Sequence, residues 1–549
     1  WGLAAGLAVV VIWPAMWTDP LRAVQAVTGT ATRHASTPHI NSFWFGQVVR
    51  DPGLPFYLLS LAFRLTPVTG LGFLVVLPLL RQPGKRRSLL IGILSYLVLF
   101  VLVMSMAAKK FDRYILACFP AIDLLAALGI VGLLRGLARW RQLRLRTARL
   151  VVVCGAALVV LAQAAGTLPH HPYYLTYYNP LLGGGQRAVQ TITVGWGEGV
   201  DQAVRYVNDK ASASALRVAT WGVAGVAPLF LGSTYVLDQR SEMLADYVIL
   251  NVSDVQFGSP HTFEFYGQVE AEHVVRLHGV EYAWVYRNER YVETLGALEG
   301  LVGEQELVVF GGESKLSEEW PSERPSLVLD PKGDEADIAA ALNEAAQPEG
   351  RVWLVEFAAE RDEPDLARFQ LDTHALREAE HMLPPMTVSS YRVLPETVFA
   401  PLLVESSPEV VFAGRLSLLG LALGDTELMA SQSLGVVLRW QVTDAIDGDY
   451  TVFVHLLDRY EQRLSQHDEL LVDGGGRPTS QWPPGEQHDM RFLVDIPADA
   501  VPGDYLLVAG LYRVDGDDRL WLDGMDGLQG DTAYPLAEVH IVAHPSSEE

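Results

Sequence analysis

Disulfide bonds are the first thing this sequence has little means to make. Only two cysteines, Cys118 and Cys154, occur in 549 residues, and both lie inside apolar runs. Neither is placed to staple the rest of the chain, and neither fixes a redox compartment. Acidic residues are scarce in the first third, where residues 1–168 hold 4 Asp+Glu against 17 Lys+Arg. Charge of either sign is missing from Ser88–Ala107, and Tyr114–Leu134 carries only Asp123. A phosphate-binding nucleotide motif is missing too. Gly195-Trp196-Gly197-Glu198-Gly199 is rich in glycine, but it lacks the Gly-x-Gly-x-x-Gly order after a strand and any Lys-Ser/Thr. No nucleophile elbow or metal set is found in the later, mixed stretch, where His374 and His381 stand isolated. No cofactor, no metal and no nucleic-acid partner are expected.

What is present divides the chain in two. Beyond residue 168 the balance reverses to 24 basic and 61 acidic residues, which brings the whole to −24. An apolar first third with basic punctuation reads as a membrane domain, and the acidic, Gly- and Pro-dotted remainder is large enough for two or three cores. Ser88–Ala107 and Tyr114–Leu134 are each long enough to cross a hydrocarbon core of about 30 Å. Trp1–Trp17 lacks the basic leader and cleavage site of a signal peptide. It reads as the tail of a membrane helix, and the chain is therefore expected to be a fragment. The basic turns Arg81–Arg87 and Arg135–Arg149 are assigned to the cytoplasm. That orientation gives about five spans in 1–168: Trp1–Trp17 outward, Leu54–Leu80 inward, Ser88–Ala107 outward, Tyr114–Leu134 inward and Leu150–Leu168 outward. Thr18–Gly53 and everything from Pro169 onward are then extracytoplasmic.

On that outer side lies Lys109-Lys110-Phe111-Asp112-Arg113-Tyr114. A helix starting near Lys109 would stack Lys109 on Arg113 and Lys110 on Tyr114, concentrating three cations and a phenol at one helix mouth. Cations are disfavoured on that side, so their presence asks for a reason, and a phosphate held at bilayer height supplies one. The bland alternative is snorkelling of long basic side chains toward headgroups. Asp112 is expected to orient Lys109, and Arg64 fits either a buried pair or a helix end. The outer loop Thr18–Gly53, with Arg33, His34, His39, Trp44, Arg50 and Asp51, suits a segment lying along the headgroups. His34 and His39 are five apart with no cysteine beside them, which argues against a metal and leaves substrate contact or simple hydrogen bonding.

The order of these pieces resembles a known family. An outer loop with histidines and aromatics is followed by Gly46-x-x-x-Arg50-Asp51-Pro52-Gly53-Leu54-Pro55-Phe56-Tyr57, then Arg64-Leu65-Thr66-Pro67 and a basic turn. Next come an apolar helix, Lys109-Lys110-Phe111-Asp112-Arg113-Tyr114-Ile115-Leu116, and a helix carrying Pro120 and Leu124-Leu125-Ala126-Ala127-Leu128-Gly129. Over roughly residues 1–200 this is similar to the later part of the membrane domain of family-39-like, GT-C-type glycosyltransferases, the protein O-mannosyltransferase and aminoarabinose-transferase superfamily. The resemblance implies an integral membrane enzyme that moves a sugar from a polyprenyl-phosphate carrier to a protein, lipid or glycan acceptor at the bilayer surface. It implies lipid-phosphate binding by Lys109, Lys110, Arg113 and Tyr114, with His34, His39 and Asp51 as substrate-loop candidates. The family's catalytic carboxylate belongs to an earlier outer loop, and Asp19, Asp51 and Asp112 do not match its position.

After the aromatic link Pro169–Gly185, short apolar runs at Leu216–Trp221, Tyr247–Asn251 and Tyr282–Tyr286 alternate with helix-compatible segments, which predicts an α/β domain over 169–296. A second α/β unit is expected over 297–400. From 401 to 549 the pattern is strict alternation, as in Leu434, Val436, Leu438, Trp440 and Val442, with turn signals such as Pro502-Gly503. That predicts an all-β antiparallel sandwich of the jelly-roll kind. Trp482 and Trp521 are either sugar-binding loop residues or core, and core is favoured. The fold class is thus a partial transmembrane helical bundle followed by α/β and all-β extracytoplasmic domains. Two functions fit it: a membrane glycosyltransferase, or a membrane-anchored carbohydrate-binding or surface-interaction protein without catalysis.

Overall fold

The computed structural model describes residues 2–36, 42–81, 85–107, 110–258, 265–330, 333–357, 366–444, 446, 448–473, 476–514, 519–524 and 531–543. The chain divides into two compact units, Trp1–Ser241 with Ala245–Asn288, and Glu242–Leu244 with Glu289–Glu549.

The first unit begins with helical segments. Gly2–Ile12 and Ala15–Thr18 lead into Pro20–Ser36, and a small hairpin, Ser42–Trp44 against Gln47–Val49, follows. Among the described residues three helical segments are long and apolar enough to cross a membrane: Arg87–Met106, Asp112–Trp140 and Leu145–His170. The stretch expected to cross as one span, Leu54–Leu80, is instead a pair of helices, Pro55–Arg64 and Pro67–Val76, bent by 118°. The cause is local. Pro67 drives the residue before it out of the helical region, so Thr66 is extended (φ −69°, ψ 152°) and the first helix stops at Arg64. Thr66 Oγ1 then accepts the Thr69 N–H and starts the second helix, with Pro67 at its first turn. Counting the bent pair as one span gives four among the described residues. Gly2–Ile12 is only 11 residues long.

Backbones meet where glycines allow it. A Cβ on Gly129 would lie 2.1 Å from the Gly72 carbonyl oxygen, so the helices Pro67–Val76 and Phe119–Trp140 cross in direct backbone contact.

Outside the long helices this unit carries a five-stranded sheet in the order Ser233–Val236, Arg217–Thr220, Tyr247–Asn251, Val280–Arg287, His273–Leu277. The first three run parallel and the last two antiparallel to their neighbours. The three runs read from the sequence as strands are all here, while Ser233–Val236 and His273–Leu277 are additions. Ser233–Val236 has no buried residue and His273–Leu277 starts half-exposed, so neither advertises itself by a long apolar run. Helix Val200–Asn208 packs Val200, Ala203, Val204 and Val207 on this sheet, at the i, i+3, i+4, i+7 spacing of one helical face. The same apolar cluster takes in Phe63 and Tyr178, so the end of the bent helix and the sheet domain share one core.

The second unit holds a five-stranded sheet in the order Leu376–Leu383, Met386–Arg392, Arg351–Phe357, Leu307–Gly311, Ser326–Leu329, with a separate apolar cluster on each face. Two further sheets follow, of four and five strands. The alternating residues Leu434, Val436, Leu438, Trp440 and Val442 of the four-stranded sheet share one cluster with Phe492 of the same sheet and with Tyr450, Val452, Val454, Leu456, Leu507 and Leu511 of the five-stranded one. Pairing in these two sheets is antiparallel except between Glu427–Met429 and Tyr534–Val542, which run parallel, a departure from the all-antiparallel expectation.

Candidate functional site

Helix Pro55–Arg64 ends at Arg64, which leaves its last carbonyls without helical partners. Asn179 supplies two of them: its Nδ2 donates to Ala62 O at 3.1 Å and its backbone N–H to Phe63 O at 2.7 Å. Arg64 itself folds back as a hub. Its Nε and Nη2 donate to Asp112 Oδ2 at 3.1 and 2.8 Å, its Nη1 donates to Leu175 O at 2.6 Å, and the guanidinium lies 4.3 Å from the Tyr178 ring centroid. Arg64 is therefore the buried-pair alternative. Asp112 serves Arg64, while Lys109, the partner that the sequence suggested, falls outside the described residues.

The charged segment is not the helix mouth expected of it. Phe111 is extended (φ −134°, ψ 144°), a 3-10 turn spans Asp112–Cys118, and the α-helix starts only at Phe119. Lys109 lies outside the described residues. Lys110 is buried, and its Nζ donates to Asp51 Oδ1 at 2.5 Å and to Ala107 O at 2.7 Å. The i,i+4 stack of Lys110 on Tyr114 is therefore replaced by a long-range ion pair. Arg113 is exposed and has no carboxylate partner among the described residues. Its guanidinium lies 4.7 Å from the Phe111 ring, 5.7 Å from Tyr114 and 4.6 Å from Trp196.

Of the outer-loop candidates, Asp51 is brought to this place, and the side chains of the two histidines are not described. His34 falls in helix Pro20–Ser36 with its side chain undescribed, and His39 lies outside the described residues. Burial raises the Asp51 carboxyl, but the hydrogen bond and charge of Lys110 and the Gly53 N–H outweigh it and hold the group below the usual carboxylate range. A depressed carboxyl stabilises the fold above its unfolded pKa and loses that contribution as pH falls through the folded value. The gap in melting temperature between wild type and Asp51→Asn is therefore expected to be constant above about pH 5 and to close progressively as the pH falls below that. Because the Asp51 side chain is half exposed, that gap is small.

Trp196 is the residue that motif reading passed over, although its turn was visible as three glycines in five. Gly195, Gly197 and Gly199 all have positive φ, of 95°, 100° and 83°. At Gly195 a Cβ would sit 2.4 Å from Val252 Cγ1, so the turn lies tight against the strand-helix junction behind it. The anion in this glycine turn belongs to the turn itself: Glu198 is buried, and its Oε2 accepts the Trp196 N–H at 2.6 Å. Segment 191–193 joins the hairpin through Phe45 N–H to Thr191 O (2.9 Å) and Phe43 N–H to Thr193 Oγ1 (3.2 Å). Between these pieces is a cleft lined by Phe56, Ser60, Lys110, Phe111, Asp112, Ile192, Thr193 and Trp196.

In the second unit Asp473, Glu486 and His488 bring one potential ligand atom each within 4.8 Å of one another. Arg477 already ion-pairs with both carboxylates, which puts a fixed cation where a metal would sit. Trp482 is buried in the shared core and Trp521 is exposed.

No protein-family model and no curated protein matches the chain. Among solved structures, the C-terminal domain of Wzt is similar over 26% of this chain and 81% of its own, at 16% identity and a TM-score of 0.17. The CARDB domain of the PF1109 protein from Pyrococcus furiosus is similar over 23% and 90%, at 11% identity and a TM-score of 0.14. A Niemann-Pick type C2 protein from the Japanese carpenter ant is similar over 26% and 100%, at 4% identity and a TM-score of 0.15.

Proposed function

We propose that this chain serves a membrane glycosyltransferase that moves a sugar from a polyprenyl-phosphate carrier to a protein, lipid or glycan acceptor at the extracytoplasmic face. The observation that carries this reading is Arg113, an exposed guanidinium without a carboxylate partner among the described residues, framed by three aromatic rings where an apolar segment long enough to span begins. An anion of the carrier sits at headgroup level with its tail in lipid, and Arg113 meets it there in the planar, forked geometry that suits phosphate. Lys110, neutralised by Asp51, contributes field rather than a free hand. In the transfer, the bond between the anomeric carbon and the phosphate oxygen breaks, the acceptor oxygen bonds to that carbon, and a base takes the acceptor's proton. Polyprenyl phosphate leaves as the anion that Arg113 holds. The sandwich of the second unit, which we read as jelly-roll-like, stands outside this chemistry.

The test is sugar transfer by full-length protein in proteoliposomes supplied with polyprenyl-phosphate sugars. Arg113→Ala is expected to lower kcat/KM by about a hundredfold, as loss of one donor to a developing oxyanion does. Arg113→Lys, which keeps the charge and loses the fork, falls between. Unchanged turnover in Arg113→Ala overturns the phosphate assignment. If wild type transfers nothing but binds glycans, the anchored carbohydrate-binding reading replaces it, which the exposed Trp521 favours.

A further inference from the structure

Helix Pro55–Arg64 is apolar on the side it turns outward. Phe56, Tyr57, Ser60 and Phe63 are buried against the protein, while Leu54 and Leu58 are 62% and 65% exposed. Leu54, Leu58, Leu61 and Leu65 follow at i, i+4, i+7 and i+11, one helical stripe, and no charged residue occurs from Pro52 to Phe63. A helix facing water carries polar residues on that stripe. The position of the helix shows what it faces instead. Phe56 and Ser60 line the cleft with residues 110–112, and Arg64 binds Asp112, so successive turns along the helix all meet one three-residue segment. Half of a membrane span would carry one end about 15 Å away from that segment. The bend to Pro67–Val76 is 118°, or 28° beyond a right angle, so with Pro67–Val76 along the membrane normal the helix before it lies close to the bilayer plane. The link after the last span continues the same surface. Arg64 Nη1 donates to Leu175 O and Asn179 caps the helix end, and Leu175 and Leu181 are 54% and 77% exposed. Of the 61 acidic residues beyond position 168, none falls in 169–197, so no carboxylate opposes a headgroup layer there.

We infer that helix Pro55–Arg64 lies in the plane of the bilayer, on the face where Arg113 is, with Leu54, Leu58 and Leu61 of the helix and Leu175 and Leu181 of the link set into lipid. The partner of this surface is the lipid layer itself. Continuity argues for it: the helix runs directly into Pro67–Val76, and the link emerges from the apolar segment Leu145–His170, so lipid around the spans reaches both. Another membrane-crossing helix would stand parallel to the spans and meet the leucine stripe at one point, whereas a leaflet meets its whole length. The capping fits the same place. Where water is scarce the last carbonyls of a helix need protein donors, and Asn179 provides two. This seating goes beyond the proposed transfer and holds whichever anion Arg113 takes. It makes the bent pair one membrane-crossing helix preceded by one in-plane helix, and it fixes the sheet-bearing part of the first unit to the bilayer through Arg64 and the link.

The experiment reads depth in the full-length protein in phosphatidylcholine nanodiscs. With Cys118→Ala and Cys154→Ala as background, a nitroxide is attached in turn through Leu54→Cys, Leu58→Cys, Leu61→Cys and Leu181→Cys. Arg205→Cys, at a side chain 73% exposed in the same unit, is the aqueous reference. Collision rates with oxygen and with a water-soluble nickel chelate are expected to place the four labels about 5–10 Å below the headgroup level and the reference in water. Leu54 and Leu61 should agree in depth to within about 5 Å, whereas a helix descending through the bilayer separates them by about 10 Å. That larger separation overturns the in-plane placement. Labels at Leu54, Leu58 and Leu181 open to nickel put the stripe in water and overturn it too. Labels shielded from both reagents reveal a protein cover, either a second copy or another membrane segment, and exclude lipid as the partner. Wild-type protein gives a second reading that needs no substitution. Photolysis with a phosphatidylcholine carrying a diazirine high on its acyl chain is expected to leave adducts on residues 54–61 and 175–182 and none on helix Val200–Asn208. Adducts confined to the membrane-crossing helices overturn the placement.

Discussion

Arg64→Ala is expected to destabilise the first unit by about 3–5 kcal/mol, the range for removing one partner of a buried ion pair. The pair qualifies because Arg64 and Asp112 side chains retain only 12% and 15% of their exposure. The loss is more than one Coulomb interaction. Deleting the guanidinium leaves the Asp112 carboxylate half-buried without its fork, strips Leu175 O of its donor, and removes the cation from the Tyr178 face. Arg64→Lys keeps the charge but cannot serve Asp112 and Leu175 O together, so it recovers only part of the stability. Asp112→Asn together with Arg64→Ala is expected to cost less than the two single changes added, because the second change removes the uncompensated charge that the first creates. Thermal unfolding in nanodiscs reads the totals. Hydrogen exchange over residues 173–179 reads the place, since Asn179 caps the helix that ends at Arg64. A shift of less than 1 kcal/mol for Arg64→Ala, with unchanged exchange in that segment, would show the pair to be a surface ornament.

That hub explains what the sequence could and could not disclose. Runs whose period is intrinsic were legible: Leu434 to Val442 and Tyr450 to Leu456 alternate at the period of a strand, and burial on one side of each follows from geometry alone. The apolar stretches around Ser88 and Tyr114 were legible because hydropathy is a property of composition. Leu54–Leu80 misled for the same reason, since averaging over a window hides a bend set by one proline. The site was half visible. Lys110, Arg113 and the Gly-Trp-Gly-Glu-Gly turn all stood out locally, whereas their partners are remote. Lys110 turns to Asp51, 59 positions away, and Arg64 to Asp112, 48 away. No local periodicity encodes either pairing. Assuming a helix from Lys109 gave the wrong geometry at the site: the run Phe111–Cys118 is extended and then 3-10, and it spreads apart Lys110 and Tyr114, which an α-helix would have stacked.

In the second unit the heaviest single loss should come from Trp440→Ala, about 3–5 kcal/mol by the cost of a large cavity in a closed core. Trp440 is fully buried on the inner face of strand Ser433–Val442, against Phe412 at 5.6 Å between ring centroids, and both flanking strands, Leu416–Leu423 and Gln487–Asp495, pair along it. With neighbours on both sides and a second sheet over it, the site has no free direction in which to collapse. Trp440→Phe separates packing from polarity. The indole Nε1 has no hydrogen-bond partner among the described residues, so it stands as a desolvated donor that already costs the native fold something. Phenylalanine removes that donor while leaving a smaller void, and the two effects oppose each other; the expected net loss is under about 1.5 kcal/mol. Hydrogen exchange of the amides in 433–442 and 487–495 gives the readout, because those strands share the ladder that the indole braces. Protection should fall steeply for Trp440→Ala and stay near wild type for Trp440→Phe. Equal losses for both would mean that the Nε1–H is satisfied after all and that the indole is held by its polar edge as much as by its faces.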